Sequence, residues 1–151
     1  MKVFISFLFL SLVGYGQNIA KLDESNGLKN YIFGTSPESY KALSIEIHEG
    51  DTKLFTCTSN TLQIASVEFE YVRVTFFKNK LYDLTLRSKN STATKLLQSL
   101  IESYGKPVLV KGNYEWQGKK VLLVYQKFKG ENDAVISFSS KEIAAQYKKS
   151  K

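Results

Sequence analysis

Cysteine is all but missing from this chain: Cys57 is the only one in 151 residues. A lone thiol cannot close an intrachain disulfide, so an apolar core rather than cross-links must hold the fold. The surroundings of Cys57, "KLFTCTS", read as a strand and supply no cation to lower its pKa, so it reads as a buried structural thiol. Histidine and tryptophan are equally scarce, with His48 and Trp116 the single representatives. A Ser-His-Asp hydrolase needs its base beside a nucleophile and an orienting acid, yet only His48 could serve and no G-x-S-x-G elbow occurs. Zinc sites draw on several nitrogen or sulfur ligands, whereas "EIHEGD" offers one imidazole with Glu46 and Asp51. Glycine-rich phosphate loops are absent as well. No catalytic residue, cofactor or metal is therefore assigned from the sequence.

Long hydrophobic runs are also lacking. The one apolar stretch, Val3 to Val13, spans 11 residues behind Lys2, whereas a membrane-crossing helix needs about 20. It ends in Gly14-Tyr15-Gly16-Gln17, with small residues three and one positions before Gln17. A charged start, a short apolar middle and a small-x-small exit are the parts of a secretory signal peptide. Cleavage is expected between Gly16 and Gln17, delivering the protein to the periplasm or the medium. The competing reading makes the stretch a buried strand, with Phe4, Phe7 and Phe9 in the core. Cleavage would leave 135 residues, enough for one domain that buries roughly two-thirds of its unfolded surface. The expected organisation is a signal peptide (1–16), a polar mobile lead-in (17–27) and a single α+β domain (28–151).

Positive charge is present in excess but unevenly. The net charge of +7 becomes +6 without Lys2, and residues 17–104 balance ten Lys/Arg against ten Asp/Glu. Residues 105–151 carry ten lysines against four acids. A basic surface attracts anionic partners. Interleaved there are Tyr114, Trp116, Tyr125 and Phe128 with Lys119, Lys120, Lys127 and Lys129. Rings alternating with lysines are how single strands of nucleic acid are gripped. Export argues against that ligand and leaves an anionic polymer such as an acidic polysaccharide, held by Trp116, Lys119, Lys120, Lys127 and Lys129. Trp116 would be partly core, its N–H requiring a partner.

Periodicity supplies the fold class. Ser36-Pro37 suits the start of a short helix over about 37–43. "SIEIHEGDTKLFTCTS" alternates around a Gly-Asp turn, which would put Glu46 and His48 on one strand face. In "VEFEYVRVTFFKNKLYDLTLRS" Val72, Val74 and Phe76 point one way, and so do Tyr82, Leu84 and Leu86 beyond the Lys78-Asn79-Lys80 turn. Leu96, Leu97, Leu100, Ile101 and Tyr104 form a helical stripe that Ser91 or Thr92 can cap and Gly105 and Pro107 end. "YEWQGKKVLLVYQKF" makes a second hairpin at Gly118, and "DAVISFS" a further strand. A last helix starts with Ser139 and Glu142 in capping-box spacing and ends in lysines. Strand runs with segregated helices give an α+β domain: an antiparallel sheet of hairpins with two or three helices on one face. Paired acids such as Glu68 and Glu70 could serve acid–base chemistry on a glycoside, but alternating strands generate such pairs routinely.

With "FGTSPESY", the "FFKNKLYDLTL" hairpin, "ESYGKP" and "YEWQGKKVLLVY" in place, the chain over about residues 28–147 resembles small secreted or periplasmic bacterial proteins of unknown function. The Gly-Tyr-Gly-Gln exit is similar to those of Bacteroidetes-type bacteria. The helix-then-hairpin succession also resembles the β-lactamase-inhibitor-protein fold, whose disulfides cannot form here. The resemblance implies export and transfers no active-site residue. The reading it joins is a non-enzymatic binding module contacting another envelope or secreted protein through the open face of its sheet. An anionic-polymer binder and a small hydrolase are the alternatives.

Overall fold

The computed structural model describes residues 17–41, 43–57, 62–89, 92–128, 130 and 132–151. The segment expected to be a signal peptide, residues 1–16, lies outside the described residues. Alternation in the sequence becomes strands in the expected places: β3 (Leu43–Glu49) and β4 (Thr52–Cys57), β6 (Val67–Phe77) and β7 (Lys80–Ser88), β9 (Asn113–Gln117) and β10 (Val121–Lys127), and β11 (Ala134–Ser140). Short strands β1 (Gly27–Leu28), β2 (Tyr31–Ile32), β5 (Gln63–Ile64) and β8 (Val108–Val110) join them. Among the described residues there are three α-helices: α1 (Gln17–Ser25) before the first strand, α2 (Ala93–Tyr104) between β7 and β8, and α3 (Lys141–Lys149) after β11. The class is α+β.

All pairings are antiparallel, and eight strands run in the order β3-β4-β6-β7-β11-β10-β9-β8, with β5 beside β6. The β6–β7 turn places Lys78 and Asn79 at φ +49° and +58°, the left-handed pair that matches the right-handed twist of a two-residue hairpin. One face of the sheet is the core. Val74, Leu84, Phe138, Leu123 and Trp116 are consecutive cross-strand partners on five strands, all fully buried. Leu96 and Leu100 of α2 and Leu22 of α1 join the same cluster. Fully burying one such side chain stabilises by about 1.5–3 kcal/mol, so this row is a large contributor to the fold's stability.

Several local expectations move. The residues read as a mobile lead-in form α1, because Leu22 is fully buried and Asp23 is anchored to a distant turn. A bulge between Thr75 and Phe76 lets Leu81, fully buried, replace Tyr82 on the core face. Tyr82 instead meets Tyr147 of α3, ring centroids 5.6 Å apart, and Phe77 meets the same ring at 5.5 Å. The expected helix over 37–43 is a single 3-10 turn, Pro37–Ser39, and Ser36 makes no capping side-chain bond. Ser140, not Ser139, caps α3 by accepting the Ile143 N–H, because alternation sends the Ser139 hydroxyl to Asp83 on the opposite face. Thr92 stands at the start of α2, but its hydroxyl donates to the Lys89 carbonyl; Ser91 lies outside the described residues. Gly105 ends α2 at φ +82°, a left-handed value that favours glycine, and its N–H donates to Ile101.

Candidate functional site

The second face of the sheet has no helix across its middle. Offset by one residue from the buried row runs its counterpart: Arg73, Thr85, Ser137, Val124 and Glu115, consecutive partners on the same five strands. None is fully buried. Tyr71, Arg87, Val135 and Gln126 make the next row, and Leu54, Thr75, Asp83, Ser139 and Leu122 the row on the other side. The Arg73 guanidinium lies 4.8 Å from the Tyr71 ring centroid and its Nε is 3.2 Å from Glu46. Arg87 pairs with Glu70 at 3.3 Å. Hydroxyls, short aliphatics and ion-paired arginines therefore tile one broad surface.

Asp83 is the unusual member. Burial lifts its carboxyl above the ordinary range, against the pull of hydrogen bonds from Ser139 at 2.6 Å and Thr85 at 2.9 Å. Tyr82 beside it is pushed up to about 12, first by burial and then by the Asp83 charge. Two hydroxyl donors satisfy the carboxylate, so it acts as a structural bracket between β7 and β11.

The basic aromatic set of the C-terminal third does not form one surface. Trp116 is fully buried, and its Nε1–H donates to the Gly105 carbonyl at 2.6 Å, tying β9 to the end of α2. Its ring has no face open to a ligand. Tyr125 is 2% exposed and donates to the Ala93 carbonyl. Lys119 and Lys120 occupy the turn before β10, whereas Lys127 closes that strand at its far end. Seven strand residues at about 3.3 Å each put more than 20 Å between them. Lys129 lies outside the described residues. Only Tyr114 and Phe128, at 37% and 39% exposure, are rings of this set that reach solvent.

Sequence reasoning missed the group that organises the Lys119–Lys120 turn. Asp23 of α1 accepts the backbone N–H groups of Lys119 (2.7 Å), Lys120 (2.8 Å) and Val121 (3.0 Å). Desolvation works to raise this carboxyl, but the hydrogen bonds from Lys120, Lys119 and Val121, with the Lys120 charge, together hold it below its ordinary value. The contact joins residues 96 apart, and no local pattern announces it.

Glu46 and His48 separate. A bulge between Ile45 and Ile47 turns Glu46 onto the face of Arg73 and Thr56, which both contact it, while His48 pairs with Lys53 on the core side. Cys57 lies four residues along β4 from the partner of His48, about 13 Å away, and its sulfur accepts from the Tyr31 hydroxyl at 3.0 Å. Among the described residues no three His, Cys, Asp or Glu side chains gather where they could hold a metal. No described helix is long and apolar enough to cross a membrane. No protein-family model, curated protein or solved structure matches the chain.

Proposed function

We propose that this chain is an exported, non-enzymatic binding module that contacts another envelope or secreted protein through the bare face of its sheet. The short apolar segment behind Lys2 and the small-x-small exit support export, as does the resemblance to small secreted or periplasmic bacterial proteins. The observation that carries the binding role is the width of the uncovered face. Seven inter-strand spacings of about 4.8 Å make the eight strands about 34 Å across, and over a strand length of about 23 Å (seven residues) that width reaches the area of a standard interface, about 800 Å² per partner. Its centre offers side chains of the kind that anchor interfaces: Tyr71 under the Arg73 guanidinium, Arg87 opposite Tyr71 on β7, and the small Ser137 and Val124 on the two strands beyond. Among the described residues, clefts of 210–340 Å³ occur elsewhere and are not lined by these side chains. A flat, wide, ion-paired surface suits a protein partner better than a small substrate.

Val124→Arg with Ser137→Arg plants two long cations in the middle of that face without touching the core. Capture from envelope and culture fractions should recover a saturable protein partner with the native chain and bind it at least about tenfold more weakly with the double variant. Thermal melting should differ by only a few degrees, the cost of two like charges set opposite each other on β10 and β11. Failure to recover a saturable partner, or capture indifferent to both substitutions, would refute the reading.

A further inference from the structure

On the opposite, core side of the sheet, the segment around β1, β2 and the Pro37–Ser39 turn encloses a cleft of about 330 Å³. Lys29, Asn30, Tyr31, Ser39, Tyr40, Lys41 and the apolar Leu62 line it. Three clefts of 210, 230 and 340 Å³ elsewhere each mix lysines with at least one carboxylate: Glu142, Glu49 with Asp51, and Asp23 with Glu24. This one holds two lysines and no acid. Glu38, the nearest acid in sequence, is exposed and does not line it.

Apart from the two tyrosine hydroxyls, the polar side chains lining the cleft are unengaged among the described residues. Among the described residues, neither ammonium is in an ion pair, and the side chains of Lys29, Lys41, Asn30 and Ser39 make no hydrogen bond. The aromatic walls, by contrast, are fixed. Tyr31 and Tyr40 stack with centroids 5.1 Å apart and planes 12° from parallel. The Tyr31 hydroxyl is spent on Cys57, and the Tyr40 hydroxyl accepts the Ile32 N–H at 3.2 Å and bonds Thr35. Tyr40 also leans on the fully buried Phe76, centroids 6.1 Å apart. The rings are set in place before a ligand arrives, whereas the exposed side chains of Lys29, Asn30, Ser39 and Lys41 are unengaged and are ordered only when it binds.

Two free ammonium groups without a competing carboxylate call for an oxyanion. Tyrosine walls offer apolar contact to the C–H surfaces of a saturated ring, and Asn30 and Ser39 offer hydrogen bonds to its hydroxyls. The volume stands at the lower end of the range of about 300–1,000 Å³ usual for small-molecule sites, which suits one or two sugar residues. We propose that this cleft binds an acidic sugar, its carboxylate held by Lys29 and Lys41 and its ring against the Tyr31–Tyr40 pair. Nothing in this depends on the bare face of the sheet, which lies on the other side of the molecule.

Titration of the isotope-labelled protein with glucuronate, glucose and inorganic phosphate tests it. Glucuronate should shift the amide resonances of residues 29–31 and 39–41 saturably, with glucose and phosphate each at least about tenfold weaker. Lys29→Gln and Lys41→Gln should each weaken glucuronate by about tenfold, the loss of one charge-assisted hydrogen bond, and leave the melting temperature in place. Equal binding of phosphate would make the site one for a bare oxyanion and overturn the sugar assignment. Equal binding of glucose, shifts centred on Lys119–Lys127, or no saturable shift would overturn the proposal outright.

Discussion

Two rows of side chains cross the same five strands one residue apart, and they have opposite fates. Val74, Leu84, Phe138, Leu123 and Trp116 are sealed beneath α1 and α2; Arg73, Thr85, Ser137, Val124 and Glu115 stay accessible on the reverse side. Since neighbouring strand residues share backbone hydrogen bonds, the difference is made entirely by what covers each face. Stability concentrates in the first row, and the second is left free to mutate, ion-pair or dock.

The sharpest way to break that contrast is Trp116→Ala. The substitution empties the largest fully buried side chain of the covered row and leaves the Gly105 carbonyl without its donor. A loss of about 3–5 kcal/mol in unfolding free energy is expected from denaturant titration. Truncating Val124, across the sheet from it in register terms, belongs to the surface class of about 0.5 kcal/mol. Similar losses at both positions would mean that the second row is covered too.

Asp23 tests the cover rather than the covered. Its carboxylate holds three N–H groups of the turn before β10, and a Cβ on Gly118 would come within 2.3 Å of Asp23 Oδ1, so the turn is shaped around this one group. Asp23→Ala should cost about 2 kcal/mol through lost charge-assisted bonds. The pH dependence fixes the sign. Because the folded pKa is depressed, the stabilisation is complete above the unfolded value of about 3.9 and is lost as pH falls through the lower folded value. Unfolding measured in that acidic window should show a pH slope that shrinks in Asp23→Asn. A slope unchanged by the substitution would detach α1 from the stability of the sheet.

That helix marks where reading the sequence stops working. The β6–β7 hairpin and α2 were legible because their signals are local: period two around Lys78-Asn79, a leucine stripe closed by Gly105. In "QNIAKLDES" the apolar positions are few, and what holds it is a turn 96 residues away. Bulges escape notice for a related reason, since the partner strand decides that Glu46 and His48 part company and that Leu81 rather than Tyr82 turns inward. For the candidate surfaces, alternation marked rings such as Trp116 and Tyr125 without saying which face would be sealed, and the lysines beside them were dispersed by strand length. The Tyr31–Tyr40 cleft was illegible for want of any motif: stacking brings together residues from β2 and from beyond a 3-10 turn.

The smallest effect should come from an edge strand of the sheet. In β3 no residue is buried, and Ile45 and Ile47 are 55% and 54% exposed, on opposite faces of the strand because the bulge between them sets Ile45 against Phe55 and Ile47 against Leu54. Such an edge is a template for unwanted pairing, and here the bulge at Glu46 interrupts it, the Glu46 side chain being held down by Arg73 and Thr56. Ile45→Thr with Ile47→Thr keeps β-branched side chains and removes only exposed apolar surface. Stability should stay within about 0.5 kcal/mol per site, while light scattering at high concentration should fall or stay level. A destabilisation approaching that of Trp116→Ala would place the β3 edge inside the core, and the division between a sealed face and an open one would then end at β4 rather than run the full width of the sheet.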